Sequence, residues 1–267
     1  MIHHLDCGTF RPRGTLGGRL VPRAMVSHCL LVERGDGLTL VDTGFGRGDV
    51  ADPARLGRPF VGAFRPHLAP ERTAAAQLTG LGHRPEDVTD VVVTHLDLDH
   101  AGGLADFPAA RVHVHEAELE AARHPAVRDR TRYVAAQWAH GPRWQTHRVA
   151  GEEWEGFGAV TLLHDDVLLV PLHGHSHGHC GVAVRRPDGG WLLHAGDSYF
   201  DGGEKHTPPT AKAGLRAFQR LVAADDGQRR SNQERLRELH ARRSGGITVF
   251  SAHDAGEYAA LSGRTAG

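Results

Sequence analysis

The chain has 267 residues, 40% of them hydrophobic, and a formal net charge of −1. That is enough apolar material for a real core within one domain, residues 1–267, and the balanced charge excludes an electrostatic case for nucleic acid. The three cysteines, Cys7, Cys29 and Cys180, are odd in number and far apart, which excludes a disulfide framework or zinc ribbon and fits a reducing cytoplasm.

The opening MIHHLDCGTF lacks the apolar stretch of a secretory signal, and no later run has the length of a bilayer span, so no membrane partner is expected. Residues 27–32 read as a strand. Residues 33–37 (ERGDG) read as a turn, and 38–41 as a second strand, completing a hairpin that ends at Asp42-Thr43-Gly44. Residues 45–70, rich in Gly, Pro and Arg, read as a long loop or lid. Pro70 precedes a helical composition over 71–81, which Gly82 stops. Residues 88–94 (VTDVVVT) are the clearest buried strand and run straight into His95. Residues 111–115 alternate as a strand, and 116–123 read as a short helix. Residues 124–150 carry Tyr133, Trp138 and Trp144 without a period and are candidates to cover a pocket.

The second half repeats the pattern. Strands are expected at 167–170, 181–184, 191–193 and 247–250, and helices near 211–223 and 228–243. Both halves deliver polar residues just after strand ends. The expected fold class is α/β: a four-layer αββα sandwich of two mixed β-sheets with outer helices.

Histidine is the outlier, at 21 residues, and histidine is the commonest metal-ligating side chain. After the buried strand, His95-Leu96-Asp97-Leu98-Asp99-His100 puts four potential ligands within six residues. Alternate side chains of an extended turn share a direction, so His95 and Asp97 can face one point. Asp99 and His100 are adjacent and must diverge, so one loop can serve two neighbouring metal positions. A polar loop with a helix cap at Asp97 or Asp99 would account for this stretch alone, but not for the clusters further along the chain. In the run 173–179 four histidines alternate with small residues. His175 is the best ligand candidate; His173, His177 and His179 suit outer hydrogen bonds or solvent. Asp197 follows a strand and a glycine, where a buried carboxylate is costly unless paired or metal-bound. His253 again follows a strand end. Tyr199 has two readings, a hydrogen-bond donor to a developing oxyanion or a packed aromatic.

Together these clusters resemble the metallo-β-lactamase superfamily. Its H-x-H-x-D-H signature appears as residues 95–100, its G-H-[ST]-x-G-H segment as 174–179, its G-D segment as Gly196-Asp197 and its late histidine as His253. The Val41-Asp42-Thr43-Gly44 turn resembles the family's early structural turn. The resemblance spans about residues 25 to 255 and implies two divalent cations, zinc by family. His95, His175 and residue 97 would hold the first cation, Asp99, His100 and His253 the second, and Asp197 would bridge. It also implies hydrolysis of a small-molecule substrate by a metal-bound hydroxide, with Asp99 accepting or handing on a proton.

Asp97 departs from the signature, which has histidine there. If Asp97 ligates, three carboxylates and a hydroxide give about −4 against two dications, and the harder donor set makes manganese or iron credible. The alternative is that Asp97 swings away and only hydrogen-bonds. Size and motif order resemble quorum-signal lactonases, so the expected reaction is cleavage of an ester-like bond, a lactone in particular. The rival readings are an iron-dependent oxidoreductase of the persulfide dioxygenase kind and a non-catalytic metal-binding protein on the same fold. Fold alone does not fix substrate.

Overall fold

The computed structural model describes residues 1–35, 37–163, 165–242 and 246–265. Six strands form the first sheet in chain order: β1 (Ile2–Phe10), β2 (Met25–Arg34), β3 (Gly37–Val41), β4 (Val88–Val92), β5 (Arg111–His115) and β6 (Arg143–His147). The second sheet runs β7 (Glu152–Trp154), β8 (Phe157–Leu163), β9 (Val167–Pro171), β10 (Cys180–Arg185), β11 (Trp191–His194) and β12 (Ile247–Phe250). Both sheets are mixed. The pairs β3–β4, β4–β5, β5–β6 and β11–β12 are parallel and the rest antiparallel.

The period of two sorts the apolar side chains into layers. Leu30, Val32 and Val92 point one way and meet Val167, Leu169, Val182 and Val184 of the other sheet, which makes the central core. Cys29, Leu31, Val91 and Val93 point the other way. They pack under α3 (Ala74–Gly80) and α4 (Glu116–Arg123), which contribute Leu78 and Leu119. On the far side Leu168, Val170 and Ala183 face Leu236 and Leu239 of α6 (Asp226–Arg242). The remaining helices are α1 (Arg47–Ala51), α2 (Arg58–Phe64), α5 (Ala213–Val222) and α7 (Ala255–Ser262). The four-layer expectation holds.

Several boundaries move for local reasons. The helix expected from residue 71 starts at Ala74, because Thr73 takes the cap position and its hydroxyl accepts from the Ala76 amide at 3.3 Å. The segment 45–70 is not a loop. It holds α1 and α2, each entered through a glycine, Gly46 and Gly57. Residues 143–163 contain three strands with no sequence period. The helix read as 228–243 begins at Asp226, and residue 243 lies outside the described residues, as does Asp36 of the expected turn. Among the described residues no helix is long and apolar enough to cross a membrane. Cys7, Cys29 and Cys180 are free and buried.

The topology fixes where function sits. Parallel pairing puts the C-terminal ends of β3 and β4 at one edge, and of β11 and β12 at one edge. Strand β9 runs parallel to β11, two antiparallel steps away. Strands β4, β9, β11 and β12 are each followed within a few residues by a candidate ligand, His95, His175, Asp197 and His253, and β3 by the turn residue Asp42.

Candidate metal centre

At that edge two groups of side chains converge among the described residues. His95, Asp97, His175 and Asp197 form one, and Asp99, His100 and His253 the other, with each group's donor atoms within 4.8 Å of one another. Asp197 connects them. Its Oδ2 lies 3.7 Å from His95 Nε2 and 3.4 Å from His175 Nε2. Its Oδ1 lies 3.3 Å from His100 Nε2 and 3.0 Å from His253 Nε2. Asp97 Oδ2 faces His175 Nε2 at 3.0 Å and His95 Nε2 at 3.4 Å. Asp99 Oδ2 stands 3.5 Å from His253 Nε2 and 3.7 Å from His100 Nε2. All seven sequence-predicted ligands are therefore brought together.

Three of the imidazoles are aimed by their other nitrogen. His253 Nδ1 donates to the Val26 carbonyl at 2.7 Å, and His100 Nδ1 to Asp42 Oδ2 at 2.8 Å. The Thr94 hydroxyl donates to Asp42 Oδ2 at 2.8 Å, so its oxygen is left to accept from His95 Nδ1 at 2.9 Å. With Nδ1 protonated, each Nε2 presents a lone pair to the centre. Asp42 is held at φ 55°, a left-handed conformation that aspartate tolerates and that marks a constrained turn. It also accepts from the Thr94 amide at 2.7 Å.

The donor set fits cations. The Nε2 atoms of His95 and His100 and the Oδ1 of Asp197 are buried without a hydrogen-bond partner, an arrangement that costs free energy unless something positive binds there. Burial would keep His100 and His253 neutral, yet Asp197 and Asp99 raise both above the ordinary imidazole value. Burial would raise Asp97 and Asp197, but Arg132 and His95 hold Asp97 well below the usual carboxylate range, and His253 and His100 do so for Asp197. The pocket attracts positive charge.

The surrounding shell contains residues the sequence did not flag. Glu118, fully buried on α4, accepts from the Leu96 amide (3.0 Å), the Ser176 hydroxyl (2.7 Å), the Gly178 amide (2.9 Å) and the Tyr133 hydroxyl (3.3 Å). It ties the 95–100 loop to the 174–179 loop. Arg132 approaches Asp97 Oδ1 with its Nε at 3.3 Å. Of the crowded histidines, His179 donates through Nδ1 to the Leu172 carbonyl (2.9 Å) and accepts from the Asp197 amide at Nε2 (2.8 Å). It thus orients the shared carboxylate from behind. His173 contacts the His179 carbonyl at 3.2 Å, and His177 is half exposed. Tyr199 is packed in the core with its hydroxyl on Glu257 at 3.0 Å. The ring packs as a core aromatic, and the hydroxyl donates to Glu257 instead of standing free to face an oxyanion.

Gly196 has φ 52°, and a Cβ there would lie 2.5 Å from His179 Nε2. Gly196→Ala is therefore expected to cost about 1–3 kcal/mol by overpacking at a strained backbone position and to weaken cation binding by shifting Asp197. A thermal melt and a metal titration check both parts; an unchanged melt would show that the turn relaxes freely.

Above the centre opens a cavity of about 890 Å³. Its floor carries Asp97, Asp99, Asp197 and His253, and one wall is apolar: Phe10, Met25, Phe60, Phe64, Phe218 and Val222. Segments 59–64 and 128–132 both reach it, whereas Trp138 and Trp144 pack against the core under the first sheet.

A profile of the family described as the metallo-beta-lactamase superfamily matches residues 22–244. A "probable metallo-hydrolase" of Mycobacterium tuberculosis is 43% identical over 259 residues, covering 95% of this chain and 80% of that protein. The N-acyl homoserine lactonase AiiB of Agrobacterium fabrum is 29% identical over 269 residues, covering 95% and 87%. A solved N-acyl homoserine lactone hydrolase, with N-hexanoyl-L-homoserine at its catalytic metal centre, superimposes with a TM-score of 0.75 at 22% identity, covering 97% and 95%.

Proposed function

The chain belongs to the metallo-β-lactamase superfamily, and on that premise we propose that it is a metal-dependent hydrolase that opens a lactone carrying an apolar acyl tail. The observation that carries the reading is one cavity with two characters: a floor of carboxylates and imidazoles and a wall of phenylalanines. A compact polar ring with an apolar tail suits both surfaces, and the lactonase relatives support the same class.

His95, Asp97, His175 and Asp197 would hold one divalent cation, and Asp99, His100, His253 and Asp197 the other. When bound, such ions lower the pKa of water and polarise a scissile carbonyl oxygen. Zinc is expected from the family, while the carboxylate-rich set brings manganese or iron within reach. The chain's own residues do the rest. Asp197 and the anchored imidazoles fix the floor, the phenylalanine wall orients the tail and excludes water, and Asp99 at the floor takes the proton from the attacking water and returns it to the leaving alkoxide. The balance is one water added across one ester bond.

Protein loaded in turn with zinc, manganese and iron should hydrolyse acyl lactones, with kcat/KM rising about fourfold for each tail methylene buried. A screen over lactones, thioesters and phosphodiesters, with oxygen uptake on a persulfide as a parallel arm, tests this. Turnover of a thioester or phosphodiester without lactone cleavage would end the lactone reading, and oxygen uptake would favour the iron oxidoreductase.

A further inference from the structure

We propose that Asp97 and Arg132 form a single neutral ligand unit, with Arg132 the positioning residue that lets a carboxylate stand where the family signature has an imidazole. The inference rests on the metal-centre reading above but concerns a pair the signature does not contain.

The carboxylate of Asp97 is divided. Its Oδ2 turns into the centre toward His175 (3.0 Å) and His95 (3.4 Å), and its Oδ1 turns to Arg132 Nε (3.3 Å). The Arg132 side chain is only 9% exposed. Its Nη1 donates to the His175 carbonyl at 2.8 Å and its Nη2 to the Val222 carbonyl at 2.7 Å. Both Nη atoms are thus hydrogen-bonded and Nε is ion-paired with Asp97 Oδ1, which has no hydrogen-bond partner, in a planar fork whose charge is permanent. The arrangement is rigid and cannot be neutralised by losing a proton.

The electrostatic reason is direct. Asp97 is a third carboxylate beside Asp197 and Asp99, and like charges crowded in a buried site repel. An imidazole at position 97 would bring no charge. A carboxylate with a guanidinium on its far oxygen also brings none, so the pair matches the imidazole in charge while changing the donor atom from nitrogen to oxygen. This revises the charge balance expected from the sequence, which counted Asp97 without a counter-ion. Arg132 also joins the His175 loop to the end of α5, and Arg128 adds a bond to the same helix end through the Ala223 carbonyl at 2.7 Å. The unit therefore links the first cation position to the cavity wall that carries Phe218 and Val222.

The test is a double-mutant cycle read by calorimetric titration of metal-free protein with Mn²⁺ and with Zn²⁺. It uses wild type, D97H, R132L and D97H/R132L, each checked for a cooperative melt. D97H alone leaves the buried Arg132 cation facing the site and should weaken the first-site cation about 10–100-fold. Adding R132L should restore affinity to within about threefold of wild type, the scatter expected of uncoupled sites. Should these variants not fold, D97N and D97N/R132M carry the same comparison. The proposal is overturned if D97H weakens binding by the same factor with and without Arg132, which is what a merely structural arginine would give, or if D97H does not weaken it at all. Wild-type protein that takes up fewer than two cations would instead sink the metal-centre reading itself, a separate and recognisable outcome.

Discussion

Asp197→Asn is expected to lose at least one of the two cations proposed for the centre and to lower kcat/KM by about 10³-fold or more, since cation assistance is worth several kcal/mol and each 1.36 kcal/mol is tenfold. Both oxygens of Asp197 are in use, Oδ2 toward His95 and His175 and Oδ1 toward His100 and His253. An amide keeps one acceptor and turns the other into a donor aimed at an imidazole. No rotation of the side chain repairs this, because imidazoles stand on both sides and His179 holds the backbone amide in place. Asp42→Asn gives the scale for comparison. Among the described residues Asp42 reaches the centre through His100 Nδ1 and Thr94, so its loss should cost about 10–100-fold in metal affinity. Metal analysis after dialysis, paired with steady-state kinetics, ranks the two. An Asp197→Asn protein that keeps two ions and wild-type kcat/KM would remove Asp197 as the shared ligand.

The sequence is legible where a residue's role leaves a local trace. Residues 88–94 and 111–115 announce strands because alternate residues serve two buried faces, and β4 and β5 lie there. The candidate ligands are visible because four imidazoles or carboxylates cannot crowd one loop cheaply without a function. Strand β1 left no such trace. Its MIHHLDC opening interleaves polar residues with apolar ones, and its strand state comes from pairing with β2. Strand β6 is hidden for a related reason: it is the outermost strand of its sheet, and Arg143, Gln145 and Thr146 are exposed. Helices α1 and α2 are too short to establish a period. Arg132 is one of many arginines in the chain, and only the fold sets it beside Asp97. Glu118 was the hardest to see, because EAELEAAR reads as an ordinary surface helix, and a carboxylate placed inside looks no different in sequence from one placed outside.

That concealed residue should nevertheless be among the most sensitive to substitution. Glu118 is fully buried, and four donors converge on its two oxygens, two from the 174–179 loop and one each from Leu96 and Tyr133. It sits in the first turn of α4, where the helix dipole favours negative charge. In Glu118→Gln one oxygen becomes an amide nitrogen that cannot accept; each oxygen serves one backbone amide and one hydroxyl, so the backbone amide is orphaned against another donor while the hydroxyl can turn to accept. An orphaned buried group costs about 1–3 kcal/mol, a sizeable share of the ~5–15 kcal/mol that holds a domain folded. For a chain of this size the melting temperature should fall by roughly 2–4 °C per kcal/mol. The functional loss should be lopsided. Glu118 anchors the loops bearing His95, Asp97 and His175, whereas His100 is anchored by Asp42 and His253 by Val26. Titration of the variant with a divalent cation should therefore show the first position weakened and the second nearly intact. Equal weakening of both positions would mean that Glu118 does not serve the first position in particular, and a melt indistinguishable from wild type would mean that the two ligand loops hold their places without the carboxylate between them.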